Sequence, residues 1–483
     1  MRAFVRSPAA ALFFSGGAAI AVGGLTAISP ILGAAAALAV IPFWLLALGR
    51  RLQRVFLGGV VVILVGYAFA GRGFAYAGVP PVFIGDVVLF VGLLTLMVSA
   101  RRIRLSGIHW LLIAFMALGL ARTLPYVPRD GVNALRDGVL WGYGFFALAL
   151  GTVVEREHFA WLVRAVRRLI PAFIVCVPIV AVLGLVYWGS LPRWPISGQP
   201  IVVFKGDMGV HLAGVAAFIL FGLYGRGRAT RAGEVALWFG WIVGAGIVAT
   251  QNRGGGLALG AGIATALVLR APASRRLSFF GVAAAMITAV ALINPQIDIG
   301  RQDKLSLEQV RLNAASVFGN AQEGTSLQAN KDFRTRWWGQ IWGYTVHGPY
   351  FWSGKGFGIN LADDDGFQTD AEGTLRAPHN SHMTVLARMG VPGLGFWIVL
   401  QLAFAGSLVA ALRRARRHGA VFWAQIDGLL LVYWISSMVT TSFDPFLEGP
   451  QGGIWFWSVF GLGLAALRLQ RESLADPTRE PAR

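Results

Sequence analysis

The chain has 483 residues, 56% of them hydrophobic and 13% charged, with a mean hydropathy of +0.62 and a formal net charge of +19. Soluble domains carry about 25% charged residues, so an ordinary water-soluble enzyme is excluded. The positive charge does not point to nucleic acid either, because the basic residues form short clusters between apolar blocks and not one solvated face.

Apolar blocks of about 17–20 residues match a hydrocarbon core about 30 Å thick, and in lipid such blocks must be helices because no water satisfies an open strand. Fourteen can be counted, centred near residues 18, 40, 62, 91, 114, 146, 179, 217, 243, 262, 286, 399, 430 and 461. The fifth and tenth are the weakest, so the expectation is an all-α polytopic membrane protein with 12–14 transmembrane helices. The first block, with Arg2 and Arg6 ahead of it, resembles a signal peptide, but the second follows at once across Ser29-Pro30 and a membrane hairpin fits better. Arg50-Arg51-Arg54, Arg101-Arg102-Arg104, Arg164-Arg167-Arg168, Arg226-Arg228-Arg231, Arg275-Arg276 and Arg413-Arg414-Arg416-Arg417 each follow an even-numbered block. The positive-inside rule then puts both termini in the cytoplasm and the odd-side loops outside, which in a bacterium is the periplasm. Cys176 is the only cysteine, so no intrachain disulfide can form.

The expected organisation is 1–294 for helices 1–11, 295–381 for an extracytoplasmic lobe, 382–470 for helices 12–14 and 471–483 for a cytoplasmic tail. The lobe is polar, yet Trp337, Trp338, Trp342, Tyr344, Tyr350, Phe351 and Trp352 argue for folded structure, since disordered segments are poor in aromatics. Loops this long are functional or disordered.

Three constellations could carry chemistry. Pro378-His379-Asn380-Ser381-His382 is followed, with nine residues between Asn380 and Gly390, by Gly390-Val391-Pro392-Gly393. It puts an imidazole and an amide at the mouth of a helix, with small residues further in for close helix approach. Histidine titrates near neutrality and can take a proton from a sugar hydroxyl; the alternative is an interfacial histidine that only caps the helix. Thr250-Gln251-Asn252-Arg253-Gly254-Gly255-Gly256 places an arginine at a membrane mouth, where a charge is expensive, beside glycines that leave room for a bulky anion. Asp332-Phe333-Arg334-Thr335-Arg336-Trp337-Trp338 offers guanidinium forks that grip phosphate oxygens in pairs. For both arginine groups the alternative is a side chain snorkelling to lipid head groups.

Weaker features are Asp207 with His211 at helical spacing, Asp363-Asp364-Asp365, which reads better as a solvated loop than as a metal site, and the loop carboxylates Asp444 and Glu448. The sequence holds no phosphate loop and no His-Glu-x-x-His metal helix, so neither ATP nor a metal cofactor is expected.

The His379-Asn380, nine-residue, Gly390-x-x-Gly393 signature, the Arg253-Gly254 junction and the Arg334–Trp338 segment, in this order before the last spans, resemble the O-antigen ligase/polymerase family over about residues 200–465. Two departures stand out: Asn252 where a serine commonly precedes the arginine, and two arginines, Arg334 and Arg336, where one is expected. The resemblance implies a GT-C-like fold in the bacterial inner membrane with its active site on the periplasmic side. It implies transfer of a glycan from a polyprenyl-pyrophosphate carrier to a hydroxyl of the lipid A core, of a growing glycan or of a protein, without metal or nucleotide. In that reading His379 is the catalytic base. Arg253 with Arg334 or Arg336 holds the donor, and Asn380 and Arg376 are further substrate contacts. A polymerase of the same family, a transporter of lipid-linked glycans and a non-catalytic envelope scaffold are the competing readings.

Overall fold

A computed structural model describes residues 51–80, 82–99, 105–204, 208–225, 231–269, 273–293, 297–298, 304–305, 326–369, 371 and 373–475. The blocks centred near 18 and 40, Asp207 and the tail beyond 475 lie outside these residues.

Every apolar block from the third onward is helical. The helices are α1 (Arg51–Ala70), α2 (Ile84–Ser99), α3 (Gly107–Thr123), α4 (Val132–Gly142), α5 (Gly144–Val153), α6 (Arg156–Val186), α7 (Met208–Leu220), α8 (Arg231–Gln251), α9 (Arg253–Val268) and α10 (Ala273–Ile293). In the polar segment lies α11 (Ser326–Val346), followed by α12 (Ser381–Arg417), α13 (Val421–Thr441) and α14 (Pro450–Ala475). Strands among the described residues are two short hairpins, Gly78–Val79 with Val82–Phe83 and Ile297–Asp298 with Lys304–Leu305. The chain is an all-α polytopic membrane protein. Seven described helices are long and apolar enough to cross a bilayer, and four shorter apolar helices, α9 among them, fill the bundle between them.

The bundle is built around α7, every residue of which is buried. A helix apolar on all sides belongs in a core, and glycines let its neighbours close in. A Cβ on Gly209 would stand 2.2 Å from the Gly255 carbonyl of α9, and one on Gly214 would meet the Tyr433 ring of α13. Between α3, α12 and α14, Phe115, Trp397, Phe456 and Trp457 interlock as an aromatic cluster.

A continuous helix of 37 residues would exceed the membrane thickness, and α12 is broken at Gly390 (φ 69°, ψ −170°). A Cβ there would lie 2.4 Å from the Phe351 carbonyl, and Val391 N–H donates to that same carbonyl at 2.8 Å. Gly393 faces Met389 of its own helix across the kink. The Gly-x-x-Gly pair therefore makes a bend strapped to the 350s loop, and not the close helix–helix approach its spacing predicts.

The described part of the polar segment from Ser326 on, which carries those aromatics, is folded. Trp337 and Ile341 of α11 pack on Leu361, Ala362, Leu386 and Ala387, and the Trp337 ring stacks on Phe367 at 5.2 Å. The aspartate run is only in part a solvated loop. Asp363 and Asp364 are exposed, whereas Asp365 is buried, accepts from Trp337 Nε1 at 2.7 Å and shares the Lys355 ammonium with Asp364. Burial alone would lower the Lys355 ammonium, but the two carboxylates outweigh it and hold its pKa above the usual value.

Candidate functional site

Four stretches distant in sequence meet at one end of the bundle, around the loop after α13. Asn252 caps α9, its Oδ1 accepting from Gly255 N–H at 2.8 Å, and its amide reaches the Asp444 carboxylate at 3.5 Å. Asparagine thus does the helix-capping work open to a serine, which explains how the departure from the usual residue is tolerated. Arg253 follows as the first residue of α9. Gly254 is needed because a Cβ there would touch Phe443 at 3.0 Å.

Arg334 reaches the same loop from α11, donating to the Phe443 carbonyl at 3.0 Å. Burial lowers its pKa while the Asp444 charge opposes that shift, and its own charge is felt at Arg253. Two partly buried guanidiniums within electrostatic reach form a place where a multivalent anion is favoured. Arg336 is exposed, two residues along the helix from half-buried Arg334 and so on nearly the opposite face. The structure therefore separates the two: Arg334 joins Arg253 at the loop and Arg336 does not.

His379 comes to this loop from the start of α12. Ser381 Oγ donates to the Asp444 carbonyl at 3.4 Å and accepts from Leu447 N–H at 3.3 Å. His379 itself has φ 53°, and it is the one non-glycine residue in the left-handed region among the described residues. Such strain persists only where the surroundings over-determine it, and it concentrates at functional sites. Here Trp338 Nε1 holds the Pro378 carbonyl at 2.8 Å on one side. On the other, Asn380 Oδ1 accepts from His382 and Met383 N–H. Asn380, expected as a substrate contact, is thus the N-cap of α12.

Arg376, also expected to meet substrate, turns the other way. Its guanidinium donates to Asp137 of α4 at 2.9 Å and to the Gly358 carbonyl at 2.9 Å. Arg388 of α12 joins the same carboxylate at 3.0 Å and is 2% exposed. A lone arginine inside an otherwise apolar helical stretch is the signal that could have drawn attention to Arg388. Asp137 carried no such mark.

His382 accepts from Trp397 Nε1 at 3.0 Å through Nδ1 and is a packing residue of the kinked helix. His211 is buried with its ring 4.1 Å from Trp455, and its expected partner Asp207 lies outside the described residues. Glu448 belongs to the site loop. Its Oε1 is shut off from solvent, and burial pushes the carboxyl up to about 7.

Residues 238–398 match a family model described as O-Antigen ligase. No curated protein matches the chain. The matched segment holds Arg253, Arg334, Arg376 and His379, whereas Asp137, Asp444 and Glu448 fall outside it.

Proposed function

We propose, for a chain whose residues 238–398 match a family model of the O-antigen ligases, that it moves a glycan from a polyprenyl-pyrophosphate carrier to an acceptor hydroxyl on the extracytoplasmic face of the bacterial inner membrane. The observation that carries this reading is the meeting of Arg253, Arg334 and the strained His379 segment at the Phe443–Asp444 loop.

The chemistry fits those groups. The anomeric carbon–oxygen bond to pyrophosphate is already activated, so no nucleotide is needed. Arg253 and Arg334 bind the pyrophosphate and stabilise the charge it gains as that bond breaks and the electron pair moves to its oxygen. His379 accepts the proton of the acceptor hydroxyl while the new carbon–oxygen bond forms. A metal is not assigned to Asp364 and Asp365, because the Lys355 ammonium already pairs with both carboxylates. The polyprenyl chain is taken up by membrane lipid and grooves between the spans. A lipopolysaccharide ligase, with lipid A core as acceptor, is the reading adopted.

A deletion strain tests it. Lipid-linked glycan should accumulate and the surface polysaccharide should be lost, both restored by the wild-type gene. Unchanged surface glycan and unchanged carrier-linked pools would contradict the proposal.

A further inference from the structure

The site has a support that the matched segment does not contain. Asp137, near the middle of α4, lies well before residue 238. Its Oδ2 accepts from Arg376 at 2.9 Å and from Gly358 N–H at 3.1 Å and pairs with the Arg388 guanidinium at 3.0 Å, while Arg136 Nε stands 3.7 Å from Oδ1. Arg388 also donates to the Gly356 and Ile359 carbonyls at 3.1 and 3.3 Å. The loop is strapped to α12 from the other direction by Lys355 N–H on Ala387 and Gly356 N–H on Arg388. The loop is also packed tightly on the turn ahead of α4: at Gly358 (φ +110°) a Cβ would stand 2.5 Å from the Asp130 Cβ. A nearly buried carboxylate held by two guanidiniums and a backbone N–H is a fixed point, because removing it leaves charge uncompensated in a low-dielectric setting.

What that point fixes is the chain on the N-terminal side of His379. Arg376 precedes the histidine by three residues, and Arg388 lies about two turns into the helix that follows it. The left-handed backbone of His379 needs both flanks held. The Asn380 cap holds the C-terminal flank, the Trp338 bond holds Pro378 directly before the histidine, and Asp137 extends that N-terminal hold to Arg376.

We propose that Asp137 is a positioning residue of this site, fixing the His379 segment by clamping Arg376 and Arg388 on one carboxylate oxygen. The inference rests on the transfer reading above and assigns Arg376 to the scaffold and not to the donor. It makes the first half of the chain part of the active site.

The test is a steady-state transfer assay on purified, reconstituted full-length protein. It uses a synthetic polyprenyl-pyrophosphate glycan donor, with wild type, Asp137→Asn, Asp137→Glu, Arg376→Gln, the Asp137→Asn/Arg376→Gln double variant and His379→Ala. Misplacing a catalytic group by about 1 Å costs on the order of a hundredfold. Asp137→Asn should therefore lower kcat by about ten- to a hundredfold with donor KM changed by less than about threefold, and Asp137→Glu should recover part of the loss. The double variant should be no worse than the poorer single one, since both break the same clamp. Wild-type kcat in Asp137→Asn, a loss confined to donor KM, or multiplicative losses in the double variant would each overturn the proposal. Should Asp137→Asn fail to fold, Arg376→Gln, which leaves Arg388 on Asp137, decides by the same kcat-against-KM criterion. Product from His379→Ala at the wild-type rate would overturn the transfer reading and this inference with it. An inactive His379→Ala beside a fully active Asp137→Asn would overturn only the latter.

Discussion

Arg334 and Arg336 show what a residue-scale reading can and cannot extract. Their chemistry is the same, and nothing in the string ranks one above the other. Only the direction each leaves α11 does so, and that direction is set by Trp337 and Ile341 turning into the lobe core. The structure therefore predicts a contrast. Arg253→Ala and Arg334→Ala should each reduce transfer about ten- to a hundredfold, the effect of losing a charge-assisted bond to phosphate worth about 1.5–3 kcal/mol. Lysine should restore only part of it, for want of the fork. Arg336→Ala, on the exposed side, should stay within about twofold of wild type, a surface change of small energy. Transfer rates of the reconstituted variants check this, and an Arg336→Ala loss as large as that of Arg334→Ala would contradict the assignment. His382 is a second lesson at this scale. Its place in the first turn of α12, three residues beyond His379, predicts that it is dispensable for chemistry, but its bond to Trp397 gives it a packing role that spacing alone cannot reveal.

At the scale of elements, helix positions were legible because apolar block length follows membrane thickness, and each block from the third onward is helical. The kink in α12 was not legible, because glycines at this spacing suit both a close helix crossing and a break. The decisive partner, the Phe351 carbonyl, comes from a distant loop. The Phe446–Glu448 turn is another element whose environment is invisible in sequence. Burial raises the Glu448 carboxyl, against the Thr384 hydrogen bond and the nearby Arg388 and Arg376 charges, with Asp137 adding to the rise. Its folded pKa of about 7 stands above the ordinary 4.5, so the stability it contributes is complete below about 4.5 and is lost as pH rises through about 7. Thermal unfolding in detergent should show wild type losing up to about 3 kcal/mol relative to Glu448→Gln between pH 5 and about 8. Parallel pH profiles for the two proteins would rule this environment out.

For the whole molecule, the alternation of basic clusters with apolar blocks predicts an orientation in which the lobe of α11 faces out of the cytoplasm. Single cysteines at exposed Thr369, in the lobe, and at exposed His418, after α12, test it in a Cys176→Ser background. An impermeant thiol reagent on intact spheroplasts should label position 369 and not 418, and the reverse pattern would invert the topology. Architecture and the likeness to the O-antigen ligase family over residues 238–398 were readable because both reside in local patterns. The convergence of α9, α11, α12 and the 443–444 loop was not, since it depends on how glycine-lined helices pack around α7.

The most direct test of the central claim is product formation by purified protein from a synthetic polyprenyl-pyrophosphate glycan and lipid A core, without ATP and in the presence of chelator. Wild type should form the linked product. His379→Ala should form it about 10²–10⁴-fold more slowly while binding the donor as tightly as before, because a general base acts on the acceptor proton and not on the pyrophosphate. A His379→Ala variant that transfers at the wild-type rate, or a wild type that transfers only when divalent metal is restored, would contradict the account.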